Sequence, residues 1–358
     1  MSGAAKGPSL NTLAALALCV VSGALASWVA LPLPWMIGPL LAMAAAKIFG
    51  AQLEAPQGGR QVGQLIIGCA LGLYFTPVVA EAILLHADLM LLAAAVTIVL
   101  GYVCGFFLAR ASGVDMTTAL FASTPGGASE MAVLGERYGA RLDKVALAQS
   151  MRILLVVVII PAILTYSGVY GADPYVPSPG EVRYAGLALL LLLSYAGGWA
   201  LSKFNTPNAW MLGPLFVSIG VTLTETGLSA MPALLSNAGQ LLIGCALGAR
   251  FEQSSVRGAP RYVLAVIATI LLALVLSALL GIALARFGDV AVSTMILATA
   301  PGGIAEMSIT AKALRLGVPL VTAFHVVRII LLVTTTAPIF AGLKRVRMSL
   351  RARAANRK

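Results

Sequence analysis

Long apolar runs separated by short polar joints make up most of this chain, and their lengths match a bilayer rather than a soluble core. A helix needs ~20 apolar residues to cross ~30 Å of hydrocarbon. Ten runs fit that requirement: approximately 10–31, 33–49, 61–76, 88–109 and 145–168, then 184–203, 208–224, 232–249, 262–286 and 317–341. Two further stretches, 115–137 and 290–312, lie between runs but cannot be continuous helix. Each contains Pro-Gly-Gly, at Pro125, Gly126 and Gly127 and again at Pro301, Gly302 and Gly303. Proline lacks an N–H and glycine is conformationally loose, so helix propagation fails there. Unpaired backbone groups in lipid cost several kcal/mol each, so such breaks survive only inside protein or against a wet cavity.

The pattern is written twice. PWMIGPLLA (34–42) returns as AWMLGPLFV (209–217), GQLIIGCALG (63–72) as GQLLIGCALG (239–248), and TPGGASEM (124–131) as APGGIAEM (300–307), at offsets of 175 or 176 residues. Arg152 and Arg328 follow at the same spacing. The expected organisation is a first membrane repeat (1–169), an inter-repeat loop (170–183), a second membrane repeat (184–343) and a basic tail (344–358).

Charge decides the threading. The joint from Tyr170 to Glu181 has no Lys or Arg, whereas its counterpart is the tail, with seven; likewise 76–88 has none and 250–261 has three Arg. Under the positive-inside rule equivalent ends therefore face opposite sides, so the repeats are inverted and the PGG segments enter and leave on one side as re-entrant hairpins. A broken helix that crosses once is the competing threading. With both termini cytoplasmic, eighteen Lys or Arg lie inside and four, Arg183, Arg286, Lys312 and Arg315, outside. The fold class expected is an all-α polytopic membrane protein of two inverted repeats, each with five transmembrane helices and one broken PGG hairpin.

Composition narrows the chemistry. The chain is 59% hydrophobic and 10% charged with a mean hydropathy of +0.95, which excludes an ordinary soluble domain. The net charge of +11 is explained by loops and tail without a nucleic-acid partner. Four cysteines, all in apolar runs, read as packing residues, and two distant histidines, His86 and His325, form no metal or redox centre. Gln64, Gln240 and the WMxGP and GCALG blocks read as helix-packing features.

The candidate site is the pair of breaks. Half-helices ending at Pro125 and Pro301 offer carbonyls, and those starting after Gly127 and Gly303 offer N–H groups to an anion. Glu130 and Glu306 are the only carboxylates set well inside apolar sequence, suited to proton coupling, cation contact or a structural pair with Arg152 and Arg328. If the arginines are free of Glu, the solute is anionic. Ser123, Thr124, Ser129 and Thr299 are weaker candidates for Na+, since hydroxyls in membrane helices commonly bond their own backbone. His325 stands where the first repeat has Gln149, as a hydrogen-bonded interior side chain or a proton relay.

The doubled WMxGP, GQxxIGCALG and PGGxxEM set resembles the membrane family labelled AbrB, also filed under an ammonia monooxygenase name, over nearly the whole chain. That resemblance implies an effect on gene expression, although the chain is unlike the small soluble DNA-binding regulator sharing the label. The five-span-plus-hairpin repeat is similar in architecture to sodium-coupled citrate and glutamate symporters. Together these lead to the expectation of a secondary transporter in the bacterial inner (cytoplasmic) membrane. It would carry a small anionic solute with Na+ or H+ as coupling ion, need no other cofactor or direct nucleic-acid contact, and be compatible with a homodimer. A membrane regulator is the alternative, and an oxidase the weaker one, for want of metal ligands.

Overall fold

The computed structural model describes residues 9–169, 171, 181–253 and 258–335, with the side chains of 128–130 outside that description. The tail at 344–358 and most of the inter-repeat loop therefore lie outside the described residues. What is described is helical throughout, without strands.

The first repeat contains α1 (Leu10–Trp28), α2 (Pro34–Ile48), α3 (Gly59–Gly72), α4 (Pro77–Leu84), α5 (Ala87–Ser112), α6 (Met116–Ser123), α7 (Ala128–Arg137) and α8 (Leu142–Tyr166). The second contains α9 (Tyr184–Lys203), α10 (Ala209–Leu223), α11 (Ala233–Gly248), α12 (Pro260–Gly288), α13 (Val292–Thr299), α14 (Ile304–Ala313) and α15 (Val318–Thr335). Local chemistry sets several starts: Ser9 accepts from Thr12 N (3.2 Å), Thr76 precedes Pro77, and Asp115 Oδ1 accepts from Thr118 N (2.9 Å).

Among the described residues, six helices, α1, α5, α8, α9, α12 and α15, are long and apolar enough to cross a membrane. The other four expected spans are shorter: α2, α3, α10 and α11 have 14 to 16 residues. At 1.5 Å per residue these reach only ~21–24 Å. α3 then turns through 90° into α4. The apolar runs at 33–49 and 61–76 were longer than these helices because they include turn residues: Leu33 is left-handed, and helix α3 ends before Tyr74 and Phe75. α1, α9 and α12 keep apolar side chains such as Val21, Leu192 and Val275 on the outside, a surface suited to lipid and costly in water.

The helices form two groups. One packs α1, α2 and α3 with α9, α10 and α11; the other packs α5 to α8 with α12, α13 and α14. The first group explains two of the repeated motifs as one contact. GCALG of each repeat packs on WMxGP of the other: a methyl group at Gly68 would sit 2.5 Å from Met211 O, and one at Gly244 2.5 Å from Met36 O. Backbones this close admit only glycine.

Equivalent segments of the two repeats meet one another. Gly63 of α3 lies against Ile243 of α11 while Gly239 lies against Ile66. His86, at the start of α5, has Nε2 3.1 Å from Gly288 O at the end of α12, and Gly171 N, beyond the end of α8, donates to Leu314 O just before α15 (3.1 Å). Backbone conformation repeats as well: left-handed Ala30, Leu33, Gly113 and Gly139 recur as left-handed Asn205, Asn208, Asp289 and Arg315.

Candidate functional site: two Pro-Gly-Gly turns around one cavity

Both broken segments return to where they began. In the first, Thr118, near the start of α6, donates its hydroxyl to Asp115 Oδ2 (2.6 Å) and accepts from Arg141 N, just after α7 (2.9 Å). In the second, Thr294 of α13 accepts from Gly317 N (3.4 Å), beyond the end of α14. A straight helix would place Thr118 and Arg141 ~35 Å apart. Phe121 and Tyr138 stack across the first hairpin with ring centroids 6.0 Å apart. Each break is thus a helical hairpin whose tip is Pro-Gly-Gly.

The spacing PGGxxEM follows from how the tip closes. Met131 covers Gly126 and Met307 covers Gly302, where an added methyl would stand 2.7 Å from the Met side chain. Both methionines are buried. Glu306 folds back so that its carboxylate lies against Gly303, in space that any Cβ would take. Gly303 caps α14, and the N–H groups of Ile304 and Ala305 have no hydrogen-bond partner among the described residues.

The two arginines hold these tips. Arg152 donates Nη1–H to Thr124 O (3.1 Å) and Nη2–H to Gly126 O (3.0 Å). Arg328 makes the same pair with Ala300 O (2.6 Å) and Gly302 O. These carbonyls lie on either side of a proline, where the helix ladder is broken; Thr124 O also accepts from Gly126 N (2.8 Å), whereas Ala300 O, its counterpart, has no backbone donor among the described residues. One turn earlier, Gln149 Nε2 donates to Phe121 O (2.8 Å) and Thr124 O (2.9 Å), and His325 Nε2 does the equivalent for Leu297 O (3.0 Å). His325 therefore carries its proton on Nε2, leaving Nδ1 buried and unpartnered.

Neither arginine meets a described carboxylate. The one ion pair within 4 Å among the described residues is Arg141–Asp143 at the surface. Arg152 and Arg328 are nevertheless 5% and 3% exposed, and Nε of each is buried without a partner. The hydroxyl candidates are engaged: Ser123 Oγ donates to Gly101 O (2.9 Å), Thr299 Oγ1 to Ser277 O (2.8 Å) and Thr124 Oγ1 to Leu120 O (2.7 Å). The side chains of Ser129 and Glu130 lie outside the description.

Both tips line a single cavity of about 50 Å³. Pro125, Gly126, Gly127, Gly302 and Gly303 border it together with Arg152, Arg328 and Glu306; Pro301 does not. The sequence reading missed Arg60, Gln64 and Asn208, which complete its wall from α3 and from the start of α10. Arg60 looked like an ordinary loop charge. The signal that could have found it is its place one helical turn before Gln64, itself polar in an apolar helix. No group of three or more His, Cys, Asp or Glu suited to a metal occurs among the described residues.

Comparison with known proteins agrees with the motifs. The family described as "Transition state regulatory protein AbrB" matches residues 35–344. An uncharacterised Bacillus subtilis (strain 168) protein, YhjN, is 28% identical over 360 aligned residues, 91% of each chain. An Escherichia coli (strain K12) protein named "Putative regulator AbrB" is 25% identical across 89% of this chain and 93% of its own. A match that takes in the WMxGP blocks, both PGG tips and the arginines that hold them shows that the chain belongs to the AbrB family.

Proposed function

We propose that the chain is a secondary transporter of a small anionic solute, working by alternating access, with solute and coupling ion held between the two PGG tips. The observation that carries this reading is the shared cavity, where both hairpin tips meet two buried guanidinium groups and one described carboxylate. Among the described side chains, three cations, Arg60, Arg152 and Arg328, stand against one carboxylate at this cavity, a balance that favours a bound anion. The free N–H groups at the start of α14 add to the same preference.

Inversion of the repeats is part of the proposal. It is supported by the meeting of α5's start with α12's end, by the contact of the segment after α8 with the one before α15, and by the loop charges. With both termini cytoplasmic in a bacterial inner membrane, the first tip enters from the cytoplasm and the second from outside. Glu306, unpaired and beside the N-terminus of α14, is the group placed to take up H+ or to face Na+.

The name of the Escherichia coli relative favours a second reading, an influence on gene expression. The described residues leave no separate nucleic-acid-binding fold, so that influence would act through the transported solute. Counterflow of radiolabelled organic acids in proteoliposomes, with and without Na+, tests the carrier; specific binding of operator DNA by the purified chain would support the regulator instead.

A further inference from the structure

We infer that Arg60 is the residue that takes hold of the solute's carboxylate or phosphate-type oxyanion, and that it does so from one face of the protein only. This rests on the carrier reading above. Among the described residues, four charged side chains line the cavity: Arg60, Arg152, Glu306 and Arg328. Both Nη groups of Arg152 and of Arg328 are held by tip carbonyls, which fixes these cations as supports of the hairpins. Arg60 differs. It is half-exposed on the first turn of α3 and makes no hydrogen bond or ion pair among the described residues, so its planar fork of donors is open to a ligand. Gln64, four residues on and on the same helix face, is likewise half-exposed at the cavity wall.

A cavity of about 50 Å³ has space for little more than the head group of a solute. An oxyanion seated there lies between the buried positive charge of the tips and the guanidinium of Arg60, both of which favour it.

The repeat makes this contact one-sided. The counterpart of Arg60 in the second repeat is Ser236, buried with its hydroxyl unpartnered. The counterpart of the half-exposed lining residue Asn208 is Leu33, 5% exposed, whereas Met211 and its counterpart Met36 are both buried. The face beside Arg60 therefore presents an arginine and an asparagine to the cavity, while the equivalent face has a buried serine and a buried leucine in their places. A carrier built this way binds its anion more tightly from the Arg60 face and releases it more readily from the other.

The test uses the purified full-length chain and Arg60→Ser and Arg60→Lys variants. Thermal stability is titrated with acetate, succinate, citrate and inorganic phosphate against sodium chloride of equal ionic strength, which separates carboxylate from phosphate recognition. The expected result is stabilisation of the wild type by at least one probe, with apparent affinity falling ten- to hundredfold in Arg60→Ser and less in Arg60→Lys. Labelling with phenylglyoxal, mapped by mass spectrometry on the wild type, gives a readout independent of variant folding. Arg60 should react, the saturating anion should protect it, and Arg152 and Arg328 should stay unlabelled. A wild type stabilised by an anion that neither protects Arg60 nor loses affinity in Arg60→Ser overturns the inference alone. A wild type indifferent to every probe overturns the anion-carrier reading and this inference with it.

Discussion

Replacing Arg328 with lysine isolates what the guanidinium does at the hairpin tip, because the charge stays and only the fork is lost. Arg328 serves two carbonyls at once, Ala300 O at 2.6 Å and Gly302 O on the other side of Pro301. One ammonium group cannot reach both with good geometry, so one buried carbonyl is left unpaired. That costs roughly 1–3 kcal/mol, the usual penalty for an unsatisfied buried acceptor. Because repulsion from Arg152 and attraction to Glu306 are largely unchanged in Arg328→Lys, the sign is unambiguous. Equilibrium unfolding of the purified protein in a denaturing detergent, followed by far-ultraviolet circular dichroism, measures it. Arg152→Lys should cost less, because Thr124 O keeps Gln149 Nε2 (2.9 Å) and Gly126 N (2.8 Å) as donors when the guanidinium is lost. Arg328→Lys as stable as the wild type would refute the assignment of the arginines as tip-holding groups.

Other substitutions test separate parts of the account. Gly68→Ala places a methyl 2.5 Å from Met211 O, backbone that cannot swing aside, so α3 and α10 must separate; a loss of about 1–3 kcal/mol is expected in the same unfolding assay. A neutral effect there would mean that the two repeats are not locked through this crossing. His325→Gln copies the arrangement of the first repeat, where Gln149 donates to the equivalent carbonyl, and should alter stability by less than about 1 kcal/mol while preserving transport. Transport abolished at unchanged stability would make His325 a proton relay instead.

The hairpins were legible in sequence because they break so strong a pattern. Pro-Gly-Gly within apolar runs, twice at the same offset, allowed few interpretations, and the element boundaries at 115–137 and 290–312 agree with α6–α7 and α13–α14. The competing threading, a broken helix crossing once, could not be separated from a hairpin on pattern alone. What distinguishes them is Thr118 bonding Arg141 and Thr294 bonding Gly317, contacts between residues 23 apart that carry no compositional mark.

Packing partners were less legible. WMxGP and GCALG read as close-contact motifs, yet nothing local says that each packs on the other repeat's copy. The two arginines were recognisable as rare intramembrane charges, but bonding to backbone carbonyls leaves no trace in the sequence, so they looked available to a solute or to the glutamates. Arg60 escaped notice for the opposite reason: at the start of a span a basic residue is what the positive-inside rule already expects. Its meaning comes only from the hairpin tips that the fold brings beside it.

The most direct test of the carrier is solute exchange across a sealed membrane. Proteoliposomes loaded with an unlabelled organic anion should accumulate the labelled one against its gradient when they contain the wild-type chain. With Glu306→Gln they should do so at least tenfold more slowly at equal incorporation. Full-rate exchange by Glu306→Gln would detach the cavity from transport, and no exchange of any small anion by the wild type would contradict the carrier itself.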